Sequence, residues 1–241
     1  MKVAICISGH LREFENGYRN IFDNIISVNP DCSFDFFIDT WQSQDWRTLK
    51  MFESTDKIIE KVSSLYNPVT INVEQDIVWD TSQYTKFISS PRWVKKGYGG
   101  VRTKGEHILG MYYKIKKCND QKIHHERKNN FIYDIVIRHR TDFGLSKPVL
   151  FKADILDPNN TIYVPLCDDS AKSAGIPIRD VFAISNSKNI DYYSSIFDRM
   201  DVIVEESKIF RPEPILNFHL NKNKSISVSE LENDWFLIRD L

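Results

Sequence analysis

The chain has no apolar run long enough to cross a membrane, no pair of cysteines at CxxC spacing and no sustained block of like charge. A bilayer-spanning helix needs about 20 consecutive, mostly apolar residues, so no helical membrane span is expected. The four cysteines, Cys6, Cys32, Cys118 and Cys167, stand far apart, and no histidine lies at zinc-ligand spacing from them. That pattern argues against a cysteine-based zinc site and predicts reduced, mostly buried thiols. With a net charge of −1 and no lysine- or arginine-rich arm, the chain is not built for non-specific binding to nucleic acid. The apolar stretch over 3–7 is too short for the core of a signal peptide and reads as a first strand instead. A cytoplasmic protein is the expectation.

At 241 residues there is length for a large core in one sizeable domain. The most informative segment is 133–143, where Ile135, Val136 and Ile137 predict a buried strand that ends in Arg138, His139, Arg140, Thr141 and Asp142. In open α/β sheets ligands bind at the carboxyl ends of strands. Two guanidiniums and a carboxylate there suit a phosphate-bearing ligand and its metal. Surface pairing of these arginines with Asp142 is the structural alternative.

The rest of the chain alternates. A strand over 3–7 leads through Ser8, Gly9, His10, Leu11 and Arg12 into a helix over 14–26. A strand over 33–38 is followed by Asp39, Thr40 and Trp41, a helix over 46–66 and a strand over 69–73. A strong helix is predicted over 106–126, with Ile108, Met111, Tyr112 and Ile115 on one face and Lys114, Lys116 and Lys117 on the other. This order implies right-handed crossovers and a mainly parallel sheet. Strands over 161–165, 180–185 and 226–228 and helices over 189–200 and 215–220 complete the reading. Between 75 and 104 there is no period; three glycines, Lys95, Lys96 and Arg102, with Trp93 and Tyr98, suggest a lid over phosphates and a sugar over about 83–104. An acidic stretch holds Asp154, Asp157, Asp168 and Asp169.

Taken together, Ser8-Gly9-His10-Leu11-Arg12, Phe36 to Trp41, Met111 to Asn119, Tyr133 to Asp142, Asp180 to Ile184 and Pro212-Glu213 resemble glycosyltransferase-like proteins of bacterial polysaccharide and lipopolysaccharide gene clusters and of large viruses. The likeness runs over nearly the whole chain. It implies a single GT-A-like α/β domain, with a Rossmann-like nucleotide-sugar-binding half over 1–145, an acceptor-binding half over 146–241, and a mainly parallel or mixed central sheet flanked by helices. It also implies a glycosyltransferase of the hexosyl- or deoxyhexosyl-transferring kind, with a nucleotide-sugar donor and a saccharide or glycan acceptor. Members of this group carry an Asp-x-Asp sequence whose carboxylates hold Mn²⁺ or Mg²⁺ on the donor diphosphate. Here that place reads Arg140-Thr141-Asp142, so Asp142 is the candidate metal ligand and Arg138 or Arg140 a direct partner of the diphosphate.

Departure of a nucleoside diphosphate develops negative charge that a metal or guanidinium stabilises most in the transition state. The acceptor hydroxyl must also lose its proton, which calls for a carboxylate or histidine if configuration inverts. Asp180 is the first candidate base and Glu213 the second, with Asp169 behind them; a turn cap and a helix-dipole partner are the respective structural alternatives. Ser8, Gly9, His10 and Arg12 are placed with the donor. A catalytically silent sugar- or nucleotide-binding module is the competing reading. A nucleotidyltransferase is more remote, because paired metals need clustered carboxylates.

Overall fold

The computed structural model describes residues 1–43, 54–87, 105–152, 157–165, 167, 169–173 and 176–238. Of the expected lid over about 83–104, residues 83–87 fall in a 3₁₀ turn, while the rest, with Trp93, Lys95, Lys96, Tyr98 and Arg102, lies outside the described residues, as do Asp154, Asp168 and the 46–53 portion of the second helix.

The β-branched run of Val3, Ile5 and Ile7 forms β1, Lys2–Ser8, buried at all but its first residue. Helix α1, Phe14–Ile21, continues as a π-helical turn, Phe22–Ile26. Strand β2, Ser33–Trp41, helix α2, Thr55–Tyr66, and strand β3, Thr70–Glu74, follow. A 3₁₀ turn, Ser82–Phe87, precedes the long helix α3, Gly105–Asn129. Strands β4, Ile135–His139, β5, Phe143–Leu145, and β6, Thr161–Pro165, lead to a short helix α4, Asp169–Ser173, and strand β7, Phe182–Ser185. Helices α5, Ser187–Ser194, α6, Met200–Ser207, and α7, Pro212–Lys222, precede β8, Ser227–Leu231, and β9, Trp235–Leu237.

Seven strands form one sheet in the order β3-β2-β1-β4-β7-β6-β8, while β5 and β9 pair separately. Strands β1 to β4 are parallel, and β6 and β8 are parallel to each other. Only β7 runs against its neighbours, β4 and β6. The carboxyl ends of six strands and the amino end of β7 therefore share one edge. This is the expected α/β domain with a mixed, mainly parallel sheet, and its first four strands follow the Rossmann-like order.

Alternation along the strands divides the core into two layers. Ala4, Cys6 and Val136 pack under α3, α5, α6 and α7, whereas Val3, Ile5, Ile135 and Ile137 pack under α1 and α2. Gly17 lets α1 press onto the turn after β4: a Cβ there would meet the Thr141 carbonyl oxygen at 2.2 Å. Gly9, at φ 98°, turns the chain out of β1, and its N–H donates to the Asp39 carbonyl at 3.0 Å.

Several expected elements are redrawn. The segment 133–143 stops being a strand at His139, because the Phe143 N–H closes a turn on the Arg140 carbonyl and Phe143–Leu145 pairs with β9. The helix expected over 189–200 is three pieces: α5, a 3₁₀ turn at Phe197–Arg199, and α6. The last helix begins at Pro212, whose fixed φ suits a first helical position, and not at Ile215. Lys114, assigned to the solvent face of α3, is fully buried, because α3 packs against both the sheet and α5.

Candidate functional site

The shared strand edge gathers the sequence candidates into two groups, joined through the pairing of β4 with β7. In the first, Arg12 and Arg140 converge on Asp142. Arg12 approaches its carboxylate to 3.6 Å, and Arg140 makes a two-pronged contact through Nε and Nη2. Asp142 is fully buried, while the two guanidiniums keep partial exposure. The turn is fixed by Thr141 Oγ1 donating to the His10 carbonyl and by the Ile238 N–H donating to the Asp142 carbonyl. His10 Nδ1 lies 3.2 Å from the Ser43 carbonyl. Ser8 is buried, with no hydrogen-bond partner for its Oγ among the described residues.

Asp142 was the candidate ligand for Mn²⁺ or Mg²⁺. Such ions need several oxygen donors. This carboxylate is bracketed by two positive groups, and among the described residues no three His, Cys, Asp or Glu side chains come together as a metal site. The donor set does not fit a divalent cation. It fits a carboxylate that holds two guanidiniums in place, each with a partly exposed face. Asp142→Asn is therefore expected to destabilise the fold by the about 3–5 kcal/mol typical of breaking a buried ion pair from one side, and so to lower the melting temperature. Thermal unfolding monitored by circular dichroism reads this directly; an unchanged midpoint would show that Asp142 does not pair as described.

The second group lies across the β4–β7 junction. The Arg140 N–H donates to the Val181 carbonyl at 3.2 Å, which fixes Asp180, one residue earlier and 7% exposed, at the same edge. Glu213 arrives from the first turn of α7, between Pro212 and Pro214, and α7 is held to α3 by Tyr112 Oη donating to the Pro212 carbonyl at 2.7 Å. Burial, reinforced by the charge of Asp180, pushes Glu213 up to about 7, against the pull of its backbone, Arg179 and Arg211. Arg138, 2% exposed on the α3 side of β4, acts on Tyr112 and Tyr193, and both tyrosines also feel Asp180. Its Nε and Nη1 have no hydrogen-bond partner among the described residues. Asp169, the third candidate base, is exposed in α4, which the sequence did not distinguish from a loop.

Farther along the edge, Lys114 Nζ reaches Asp39 Oδ1 and Glu74 Oε2, each at 2.7 Å, and lies 4.1 Å from the centre of a Trp41 ring. Asp39 also accepts from Asn72 at 3.0 Å and Gln121 at 2.9 Å. Burial raises its pKa, with Lys114 acting in the opposite direction. Neither this network nor Tyr112, Tyr193, Arg179 and Arg211 was identified from the sequence. A lysine three residues beyond Met111 and one before Ile115 was the available signal for Lys114.

Two histidines are buried. His139, caged edge-on by Phe143 and Phe182, is pushed down to about 3 by burial and the charge of Arg138. His219, stacked on Tyr192, is pushed down to about 4 by burial. A ring held neutral in the fold contributes its full stability above the unfolded pKa of 6.5, and loses it as pH falls toward the folded value. The melting temperature should drop as pH falls from 6.5 toward 4. His139→Phe should shallow that drop, since it removes the titrating ring; parallel pH curves for the two proteins would contradict this assignment.

Among the described residues no helix is long and apolar enough to cross a membrane. No protein-family model matches the chain, and no curated protein sequence matches it.

Proposed function

We propose that this protein is a glycosyltransferase of the GT-A-like kind, moving a sugar from a nucleotide-sugar donor to a saccharide acceptor, with Glu213 as the general base. The observation that carries this reading is a carboxylate brought near neutral pKa beside a second carboxylate, at the ligand-binding edge of a mainly parallel sheet. A base titrating near 7 suits removal of a proton from a hydroxyl at physiological pH.

In this proposal the donor's diphosphate meets the partly exposed faces of Arg12 and Arg140, which Asp142 orients. Fixed guanidiniums stabilise charge developing on the leaving phosphate without reorganising as it forms. Ser8, Gly9 and His10 form the adjoining turn. The acceptor hydroxyl lies at Glu213, which takes its proton as the oxygen attacks the anomeric carbon. Asp180 acts through Glu213, holding it protonatable near pH 7. This reverses the order in which the sequence ranked the two carboxylates. Four free cysteines, three of them buried, support a reducing, cytoplasmic setting as part of the proposal.

The test is incubation with UDP-, GDP-, CDP- and dTDP-sugars and measurement of nucleoside diphosphate release. The transferase reading predicts slow release from one donor class, accelerated by a saccharide acceptor. Donor binding with no release, with or without acceptors, would favour a silent binding module.

A further inference from the structure

The first group of charges at the strand edge is internally paired; the second holds buried polar atoms that have no partner among the described residues. Within it, Arg138 presents Nε and Nη1, and Tyr193 its hydroxyl, as buried polar groups with no partner among the described residues, and the two side chains are 2% and 0% exposed. Buried donors left without acceptors destabilise a fold, the more so when charged, and a guest that supplies the acceptor removes that cost.

The fold brings these groups to one place. Arg138 stands opposite Cys6 of β1 and Ala183 of β7 in the register, on the face covered by α3 and α5. Tyr193 comes from α5. Tyr112, the neighbouring hydroxyl, is already committed to the Pro212 carbonyl, which fixes α7 and Glu213 beside them. Asp180 acts electrostatically on both tyrosines. Unused donors and the carboxylates of Asp180 and Glu213 thus meet around Tyr112. A neutral sugar would satisfy the carboxylates and leave the guanidinium unmatched. A guest with an oxyanion and hydroxyls matches both.

We infer that Arg138 and Tyr193 form a receptor for an oxyanion carried by the substrate, a carboxylate or a phosphate, separate from the Arg12–Asp142–Arg140 group. Placing that oxyanion on the substrate of the Glu213 site rests on the transferase reading; the receptor itself does not. The guanidinium offers a charged N–H donor to such an oxyanion, and the tyrosine hydroxyl adds a second donor.

The experiment is thermal shift at constant ionic strength, with glucuronate as the carboxylate probe, UDP as the phosphate probe and glucose as the neutral control, on the wild type, Arg138→Met and Tyr193→Phe. No catalysis is required, so failure here is distinct from failure of the transferase reading. The expected result is a rise of several degrees with glucuronate or UDP and none with glucose. The glucuronate rise should be lost in Arg138→Met and reduced in Tyr193→Phe, and the UDP rise should be smaller in both variants than in the wild type. The part of the rise that depends on Arg138 identifies the source: with glucuronate it marks an acidic saccharide and with UDP a phosphate group, while any UDP rise that survives in Arg138→Met belongs to Arg12 and Arg140. Should Arg138→Met fail to fold, Tyr193→Phe decides, because its hydroxyl has no hydrogen bond to lose among the described residues. No rise in the wild type with either probe, or a rise preserved in the variants, would overturn the inference.

Discussion

Glu213→Gln is expected to reduce sugar transfer by about a hundredfold to ten-thousandfold, the range for loss of a general base, and to raise the melting temperature above neutral pH. Both follow from one environment. Burial and the charge of Asp180 raise the carboxyl to about 7 in the fold, whereas in the unfolded chain it returns to its ordinary value of 4.5. A group with a raised folded pKa contributes its full stability below the unfolded pKa, and that contribution is lost as pH rises through the folded one. At pH 8 the wild type holds two carboxylates in a largely buried site; the amide holds one. The stabilisation should grow from pH 5 to 8 and vanish near pH 4, and a gain of 1 kcal/mol corresponds to about 2–4 °C in a chain of this size. A structural Glu213, useful only for starting α7, would give the opposite result: lower stability at every pH and no specific loss of transfer.

A stability effect as large as that of Asp142→Asn is expected at Lys114. Lys114→Met leaves Asp39 fully buried with a negative charge and only amide partners. Removing one member of a buried pair costs about 3–5 kcal/mol, or a melting temperature lower by about 10 °C or more. Glu74, partly exposed, can turn to water and contributes less. Adding Asp39→Asn to Lys114→Met should recover a substantial part of the loss, because the amide keeps the shape and removes the orphaned charge. Equal stability of the single and double variants would show that charge is not what Lys114 neutralises.

What the sequence disclosed and what it hid have physical reasons. Strands β1 and β4 were legible because β-branched runs buried on both faces have no other reading, and their polar ends marked the edge where Arg138, Arg140 and Asp142 are found. Gly9 and Arg12 were legible as the turn leaving β1. Lys114 was hidden because polarity was taken for exposure, and only the arrival of Asp39 and Glu74 from two other strands makes its burial favourable. Glu213 was ranked second because Pro212 and Pro214 explain a helix start without it; its neighbour Asp180 is 33 residues away in the chain, and local pattern carries no trace of that approach. Strands β5 and β9, of three residues each, are too short for a period.

The central claim is that Glu213 takes the acceptor's proton. Its most direct test is acceptor-stimulated release of nucleoside diphosphate as a function of pH, in the wild type and in Glu213→Gln, with donor binding followed by calorimetry. The rate is expected to rise through an apparent pKa near 7 in the wild type and to be low and flat in the variant, with donor affinity unchanged. A variant that retains both the rate and its pH dependence would contradict it.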